Sequence, residues 1–242
     1  TNGVEIIDVT DPAKPIKSGA FCAGCSVGTI TINSHYAYVS RFSDNTFFIL
    51  DITNPIVPVI MGQLQTAPID KININGNYAL LSGLSGVDVA DITNPASPTI
   101  ISSFYGGRDT QVAGLFVQPP YAYVANNSAN LRSLDIFDFS KPSAPVRVGR
   151  YFLKDYLYDV WVNGNYAYLA ASSGLYVMDI SRPASPAAAG YLDEKLILGA
   201  VTHQGKYIYL VTGSGGRFEI LEFKPGNKPH QLRVNRLYLR FH

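Results

Sequence analysis

The stretch Asp51-Ile52-Thr53-Asn54-Pro55-Ile56-Val57-Pro58 decides the fold, because similar stretches recur at five other places in the chain. Residues 8–15 and 91–98 repeat it almost unchanged. Two further copies begin at Asp138 and Asp179, and a degraded copy begins at Glu222. Successive copies start 40 to 47 residues apart. Internal repetition at this period indicates a repeat architecture.

The residues between the copies predict four short strands in each repeat. Runs of aliphatic and aromatic residues lead into the copies at 4–9, 47–52, 87–92, 134–139, 175–180 and 218–223. Another run follows each copy, and then two runs flank a tight turn such as Asn75-Gly76 or Asn163-Gly164. Asn-Gly between apolar runs predicts a hairpin whose two turn residues both have positive φ. Four antiparallel strands per repeat predict an all-β fold, a β-propeller.

The repeated stretch itself predicts a turn between the third and fourth strands of a blade. The side chains of Asp and Asn accept hydrogen bonds from their own downstream backbone, which holds a turn. Proline fixes φ and removes a backbone donor, so the third strand ends there. These stretches therefore predict structure and carry no chemistry of their own.

The repeats resemble those of the LVIVD-repeat family of β-propellers. The resemblance rests on the Asp-to-Pro turn, on Gly-Leu-Tyr-Val-Met-Asp-Ile at 174–180 and on Val-Asn-Gly-Asn-Tyr-Ala-Tyr at 162–168. It covers nearly all of the chain. It implies the propeller fold and export to a bacterial or archaeal surface, and it implies no agreed activity and no catalytic residues.

The strand count predicts six blades, with five as the alternative. There are six copies of the turn but five hairpins, centred near positions 34, 76, 119, 164 and 205. The chain thus starts inside a blade, which is incomplete or split between the termini. We expect one domain over residues 1–242, in a processed chain or as part of a longer one or of a larger assembly.

Composition excludes several classes of protein. Nineteen basic and eighteen acidic residues leave a net charge of +1, so we expect no nucleic-acid partner. The longest apolar runs have the length of strands, so we expect no transmembrane segment. No cofactor-binding motif is predicted.

The connections that differ between repeats are the predicted binding surface, because variable loops on a rigid scaffold commonly carry binding residues. The second-to-third-strand loops and the crossings between blades share one side of the sheets. The candidate ligand-binding residues on this side or near the mouth of the channel are Asp70, Lys71, Arg108, Asp109, Asn126, Asn127 and Asp159.

Two cysteines form the motif Cys22-Ala23-Gly24-Cys25 in a predicted crossing between blades. A disulfide that braces the loop is the preferred interpretation. Two free thiols, or redox or metal chemistry, remain as alternatives. Haem attachment is not supported, since Ser26 stands where a c-type site has histidine.

These patterns predict a non-catalytic binding or assembly module outside the cytoplasm, whether extracellular, at the cell surface or periplasmic. Its partner would be a protein or a surface glycan, held by the variable loops or by the open edge of a blade. The alternative is a metal-assisted hydrolase or a lactonase-like enzyme, with Asp70, Asp159 and His203 as candidate ligands at the mouth of the channel. The residues converge too little to favour an enzyme or to assign a metal.

Overall fold

The computed structural model describes residues 3–106, 110–128, 131–193, 198–205, 207–212 and 218–222, except the side chains at 198, 203, 212 and 222. No helix occurs among these residues, and every regular element is a β-strand. The chain divides into two compact units, Thr1–Gly107 and Arg108–His242. The single domain expected over residues 1–242 stays a prediction.

The first unit contains a two-stranded sheet and two four-stranded sheets, all antiparallel. Their strands are β1 (Val4–Asp8) and β2 (Ile16–Phe21); β3 (Val27–Asn33), β4 (Tyr36–Arg41), β5 (Thr46–Asp51) and β6 (Val59–Gln65); and β7 (Lys71–Asn75), β8 (Tyr78–Gly83), β9 (Gly86–Asp91) and β10 (Thr99–Phe104).

The second unit contains two four-stranded sheets and a three-stranded sheet. Their strands are β11 (Val112–Gln118), β12 (Tyr121–Ser128), β13 (Leu131–Asp138) and β14 (Val146–Leu153); β15 (Leu157–Asn163), β16 (Tyr166–Ala171), β17 (Gly174–Asp179) and β18 (Ala187–Asp193); and β19 (Leu198–Gln204), β20 (Tyr207–Thr212) and β21 (Phe218–Glu222). Strands pair in chain order within every sheet. These six sheets confirm the propeller prediction, and the first has only its third and fourth strands among the described residues.

The Asp-to-Pro stretches are turns that close the third strand of a sheet. Asp51 is the last residue of β5, and its Oδ1 accepts a hydrogen bond from the backbone N–H of Thr53 at 2.8 Å. The same bond recurs at Asp8, Asp91, Asp138 and Asp179. The Thr53 hydroxyl and then its amide lower the pKa of Asp51.

In the four-stranded sheets, each of these turns is also joined to the hairpin turn beside it. The N–H of Ile52 donates to the carbonyl of His35 at 2.8 Å, and Ile92 donates to Asn77 at 2.9 Å. Phe139 and Ile180 make the same bond in the second unit. The two turns therefore lie at the same end of the strands in each of these sheets, and the loops that differ lie at the opposite end.

The hairpin turns lie one residue later than predicted. Asn75 is still a strand residue paired with Tyr78, so the two turn residues are Gly76 and Asn77. Positive φ occurs at Gly76 (56°) but at neither Asn75 nor Asn77. The expectation of positive φ at both turn residues was wrong, because Asn75 completes the strand ladder and glycine alone takes the left-handed conformation.

The cores lie between neighbouring sheets of the same unit. In the first unit, Tyr38, Phe47 and Ile49 pack against Ile72 and Leu81 of the next sheet. In the second unit, residues of β12 and β13 pack against β15 and β16. The middle strands are buried on both faces, which explains their nearly continuous apolar sequence.

Glycines in the fourth strands allow neighbouring sheets to approach closely. A Cβ on Gly19 would lie 2.7 Å from the Pro55 carbonyl oxygen in the turn of the next sheet. A Cβ on Gly62 would meet Pro95 closer still, and one on Gly149 would meet Pro183. Backbone atoms occupy the space that any side chain would need.

We predict that Gly62→Ala destabilises the protein by about 1–3 kcal/mol, because the new methyl group must displace the Pro95 carbonyl. Chemical denaturation measures this change. Gly106→Ala is the matched control, since its Cβ would lie 3.4 Å from the nearest atom, Ser85 O. Equal destabilisation by the two substitutions would contradict the packing argument.

Candidate functional site

The connections at the two ends of the strands differ in how closely they repeat from sheet to sheet, and we call these two ends the turn edge and the loop edge. The turn edge consists of the hairpin turns and the Asp-to-Pro turns, whose hydrogen bonds recur from sheet to sheet. The loop edge consists of the loops between second and third strands and the crossings from one sheet to the next. Its side chains make different contacts in each sheet, so a recognition site specific to this chain is expected there.

The loop edge of the first unit is organised around a disulfide. Cys22 and Cys25 are bonded in the crossing from β2 to β3, with their Cα atoms 5.4 Å apart. Arg41 forms an ion pair with Asp44 and places its guanidinium 3.8 Å from Cys22 Sγ. Its charge also lies 4.8 Å from the centre of the Phe48 ring. Arg41 thus connects the disulfide-bonded crossing to the hairpin formed by β4 and β5.

Asp70 and Lys71 lie where the crossing from β6 enters β7. The Asp70 side chain is exposed, while its backbone N–H donates to Ser82 O at 2.8 Å. Lys71 is half-buried and is the first residue of β7. Asp70 is therefore presented to solvent at the loop edge, and the binding roles of both residues stay predictions.

Asn126 and Asn127 lie in strand β12, not in a loop as the sequence suggested. Both side chains are buried, at 1% and 7% exposure. Asn127 donates from Nδ2 to Leu157 O and accepts from Leu157 N at 2.8 Å, so its amide joins β12 to β15. Asn126 donates from Nδ2 to Ser133 Oγ and accepts from Ser128 N at Oδ1, and both bonds lie within its own sheet. The side-chain amides of both residues make hydrogen bonds inside the fold. These bonds, and not exposure to solvent, explain why polar residues occur at the two positions.

Removing the Asn127 amide should destabilise the second unit. Asn127→Ala leaves the N–H and C=O of Leu157 without these partners, a loss of about 1–3 kcal/mol for each buried group. Thermal unfolding of the variant measures it. Asn165→Ala, at an exposed hairpin position, is the control and should change stability far less. A stable Asn127→Ala protein with weakened ligand binding would instead support a binding role.

The remaining predicted site residues do not form a common centre in the described part of the chain. Asp159 lies in β15, and its Oδ2 accepts a hydrogen bond from Val201 N in the next sheet at 3.2 Å. Arg108 and Asp109 lie outside the described residues, as does the side chain of His203. No group of three or more His, Cys, Asp or Glu among the described residues is placed to hold a metal ion.

A cluster that the sequence analysis did not single out surrounds the crossing from β14 to β15. We call it the Asp155 cluster, and its members are Arg132, Asp155, Tyr156, Ser173, Tyr176 and Tyr191. Asp155 Oδ2 accepts hydrogen bonds from Ser173 Oγ at 2.6 Å and from the Tyr176 hydroxyl. Ser172 N donates to Tyr156 O at 2.8 Å, so the crossing is attached to the loop of the next sheet.

Aromatic rings and one cation complete the Asp155 cluster. Tyr191 packs on Tyr176 with ring centres 4.7 Å apart, and its hydroxyl lies 2.9 Å from Ser173 Oγ. The Arg132 guanidinium lies 3.8 Å from the centre of the Tyr156 ring. Lys154 and Asp155 lie in one of the connections that differ between repeats. The sequence did not show the cluster, because it does not show that Tyr176 and Tyr191 pair across neighbouring strands.

The Asp155 carboxylate should hold Tyr176 protonated. Burial, followed by the hydrogen bond to Asp155, raises the pKa of Tyr176 to about 12. We predict that Asp155→Asn lowers this pKa while burial keeps it above the ordinary value of about 10. Tyrosinate absorbance against pH measures the shift, and the difference should vanish in a Tyr176→Phe background. An unchanged titration would contradict the coupling.

Repeated four-stranded antiparallel sheets of this order define the class of the molecule as a repeat β-propeller. The LVIVD repeat matches residues 24–66, 69–105, 111–152 and 156–193. The chain belongs to the LVIVD repeat family, as the resemblance predicted. No curated protein matches the chain. A propeller built from such repeats is in general terms a binding or scaffold module.

Solved structures share the fold at low sequence identity. A protein from Lactobacillus plantarum is 11% identical with a TM-score of 0.78, and 97% of this chain covers 77% of that one. A functionally unknown protein from Desulfotomaculum acetoxidans is 14% identical with a TM-score of 0.74, covering 96% and 74%. BamB from Moraxella catarrhalis is 16% identical with a TM-score of 0.59, covering 91% and 68%. These similarities show the fold alone.

The described part of the chain contains no helix with the length and apolar character needed to cross a membrane.

Proposed function

We propose that this chain is a non-catalytic binding module that works outside the cytoplasm and holds a protein or a surface glycan at its loop edge. One observation carries the proposal: the turn edge repeats its hydrogen bonds in successive sheets, whereas the loop edge differs in each. Constant turns preserve the scaffold, and the varied edge is where recognition of one partner requires particular side chains.

The disulfide supports the proposed location. Cys22 and Cys25 are bonded, and no cysteine remains free. Disulfides persist in oxidising compartments and are rare in the cytosol. Alkylation of the protein isolated from its source without reductant tests this point, because two labelled thiols per chain would contradict it.

The side-chain contacts favour binding over metal-assisted hydrolysis. Such a hydrolase needs several carboxylates or imidazoles that converge on one point with an open position for water. The Asp159 carboxylate is instead bonded to the Val201 amide, within the scaffold. The Asp155 carboxylate likewise accepts hydrogen bonds from the hydroxyls of Ser173 and Tyr176.

Native mass spectrometry of protein purified from its source, compared with the denatured mass, tests the proposal. We expect a bound protein or glycan that denaturation releases. Charge reversal at the loop edge, by Asp70→Lys in the first unit and Lys154→Glu in the second, should lower the bound fraction in at least one variant.

Exposed lysines at the turn edge provide matched controls. Lys14→Glu and Lys141→Glu change the charge by the same amount as the loop-edge variants, with the sign of Lys154→Glu. They lie in the Asp-to-Pro turns, so they should leave the bound fraction unchanged. An unoccupied protein that turns over a small substrate would overturn the proposal. So would loss of the partner in the turn-edge variants alone.

A further inference from the structure

Arg132 carries a charge that the described residues leave without an ionic partner. Its Nε is buried and makes no hydrogen bond, and no carboxylate of the described residues lies within ion-pair distance. Among the described residues, the Arg132 side chain makes one hydrogen bond, from Nη1 to Lys154 O at 3.4 Å. By contrast, Arg150 in the same sheet pairs with the fully buried Asp135. The Arg132 side chain is only partly buried, and its Nη donors beyond the bond to Lys154 are unused, so the guanidinium fits a carboxylate ligand.

The position of Arg132 is fixed by an aromatic ring. Its guanidinium covers one side of Tyr156 at 3.8 Å from the ring centre, yet Tyr156 remains 50% exposed. Tyr191, whose hydroxyl donates to Ser173 O at 2.8 Å, is 42% exposed. Tyr156 belongs to the crossing, and Tyr191 contacts Ser173, which is bonded to Asp155 of the crossing. Each of these partly exposed rings offers an apolar face with a polar rim.

Asp155, which precedes Tyr156 in the chain and is bonded to Ser173, supplies the acceptor. Ser173 Oγ and the Tyr176 hydroxyl both bond to its Oδ2, and among the described residues no hydrogen bond involves Oδ1. The two donors fix the orientation of the carboxylate. Oδ1 is thus available as a preorganised acceptor for a ligand hydroxyl.

We propose that the Asp155 cluster binds an acidic oligosaccharide that contains a uronic acid; this assignment rests on the proposed binding function and names its ligand class. The sugar carboxylate pairs with Arg132, a ring hydroxyl donates to Asp155, and the C–H face of a sugar ring packs on Tyr156 or Tyr191. One sugar ring carries carboxylate, hydroxyl and apolar face within a few ångströms of each other.

An acidic peptide fits the cluster less well. A series of carboxylates would satisfy Arg132 but would bring like charge to Asp155, whose repulsion costs binding energy. A uronic acid oligomer also carries a carboxylate on each ring, but the groups beside that carboxylate are ring hydroxyls, which can donate to Asp155. The aromatic rings also match a flat C–H face better than a charged side chain.

Calorimetric titration of the whole chain with uronic-acid hexasaccharides tests the proposal. The probes are oligomers of galacturonate, guluronate, mannuronate and hyaluronan, each compared with its carboxyl-reduced form, together with a hexaglutamate peptide. We expect at least one acidic oligosaccharide to bind with Kd of about 1 mM or tighter, and its reduced form to bind at least about tenfold more weakly.

Three variants assign the binding to the cluster. Arg132→Gln should weaken it by about tenfold or more, and Asp155→Asn and Tyr156→Ala by about fivefold, with thermal unfolding confirming that each is folded. Arg147→Gln is the matched control, an exposed arginine in β14 at the turn edge, and should change Kd less than about twofold.

The outcomes separate this inference from the proposed function. No binding of any acidic oligosaccharide, equal binding of reduced forms, or tighter binding of hexaglutamate would overturn the inference. If native mass spectrometry still finds a partner that Arg132→Gln does not release, the binding module stands and the carbohydrate assignment fails. If no partner is found and none of the sugars bind, both fail.

Discussion

The hydrogen bond from the terminal aspartate of a third strand to the amide two residues later is the constraint on which five of the six sheets depend. At Asp51 this bond ends β5, turns the chain and points Ile52 N at the hairpin carbonyl of His35. Because the acceptor is charged, the bond is stronger than one between neutral groups. The Thr53 hydroxyl, and then this amide, lower the pKa of the carboxyl. This side-chain bond and the neighbouring backbone bond together hold the two turns of a sheet.

Contact between sheets follows from the same turns. The prolines that end a third strand present carbonyl oxygens to the sheet before, and Gly19, Gly62 and Gly149 make room for them. Large side chains then fill the space between the middle strands, as Tyr38 does against Ile72. The same few positions in each repeat therefore determine both the local turn and the packing between sheets. This is why the repeat is easily recognised in the sequence.

Most of the fold could be predicted from the sequence, because strand ends and turns are local properties of the chain. The glycines that admit the next sheet could not, since the contact at Gly62 depends on Pro95 in another repeat. Asn127 was assigned to a loop because polar residues are usually exposed, and its partner, Leu157, is thirty residues away. The Asp155 cluster could not be predicted for the same reason, because Tyr176 contacts Tyr191 only through strand pairing.

Two amide side chains join the first two sheets of the second unit, one at each edge. Asn127 exchanges hydrogen bonds with Leu157, and Gln118 exchanges them with Gly164 at 3.0 and 3.1 Å. Neither amide carries a formal charge or titrates in water. Counterions therefore have nothing to screen at these joints, and acid or alkali has no proton to exchange there. The alignment of the two sheets beneath the Asp155 cluster should survive changes of salinity and acidity that would weaken ion pairs.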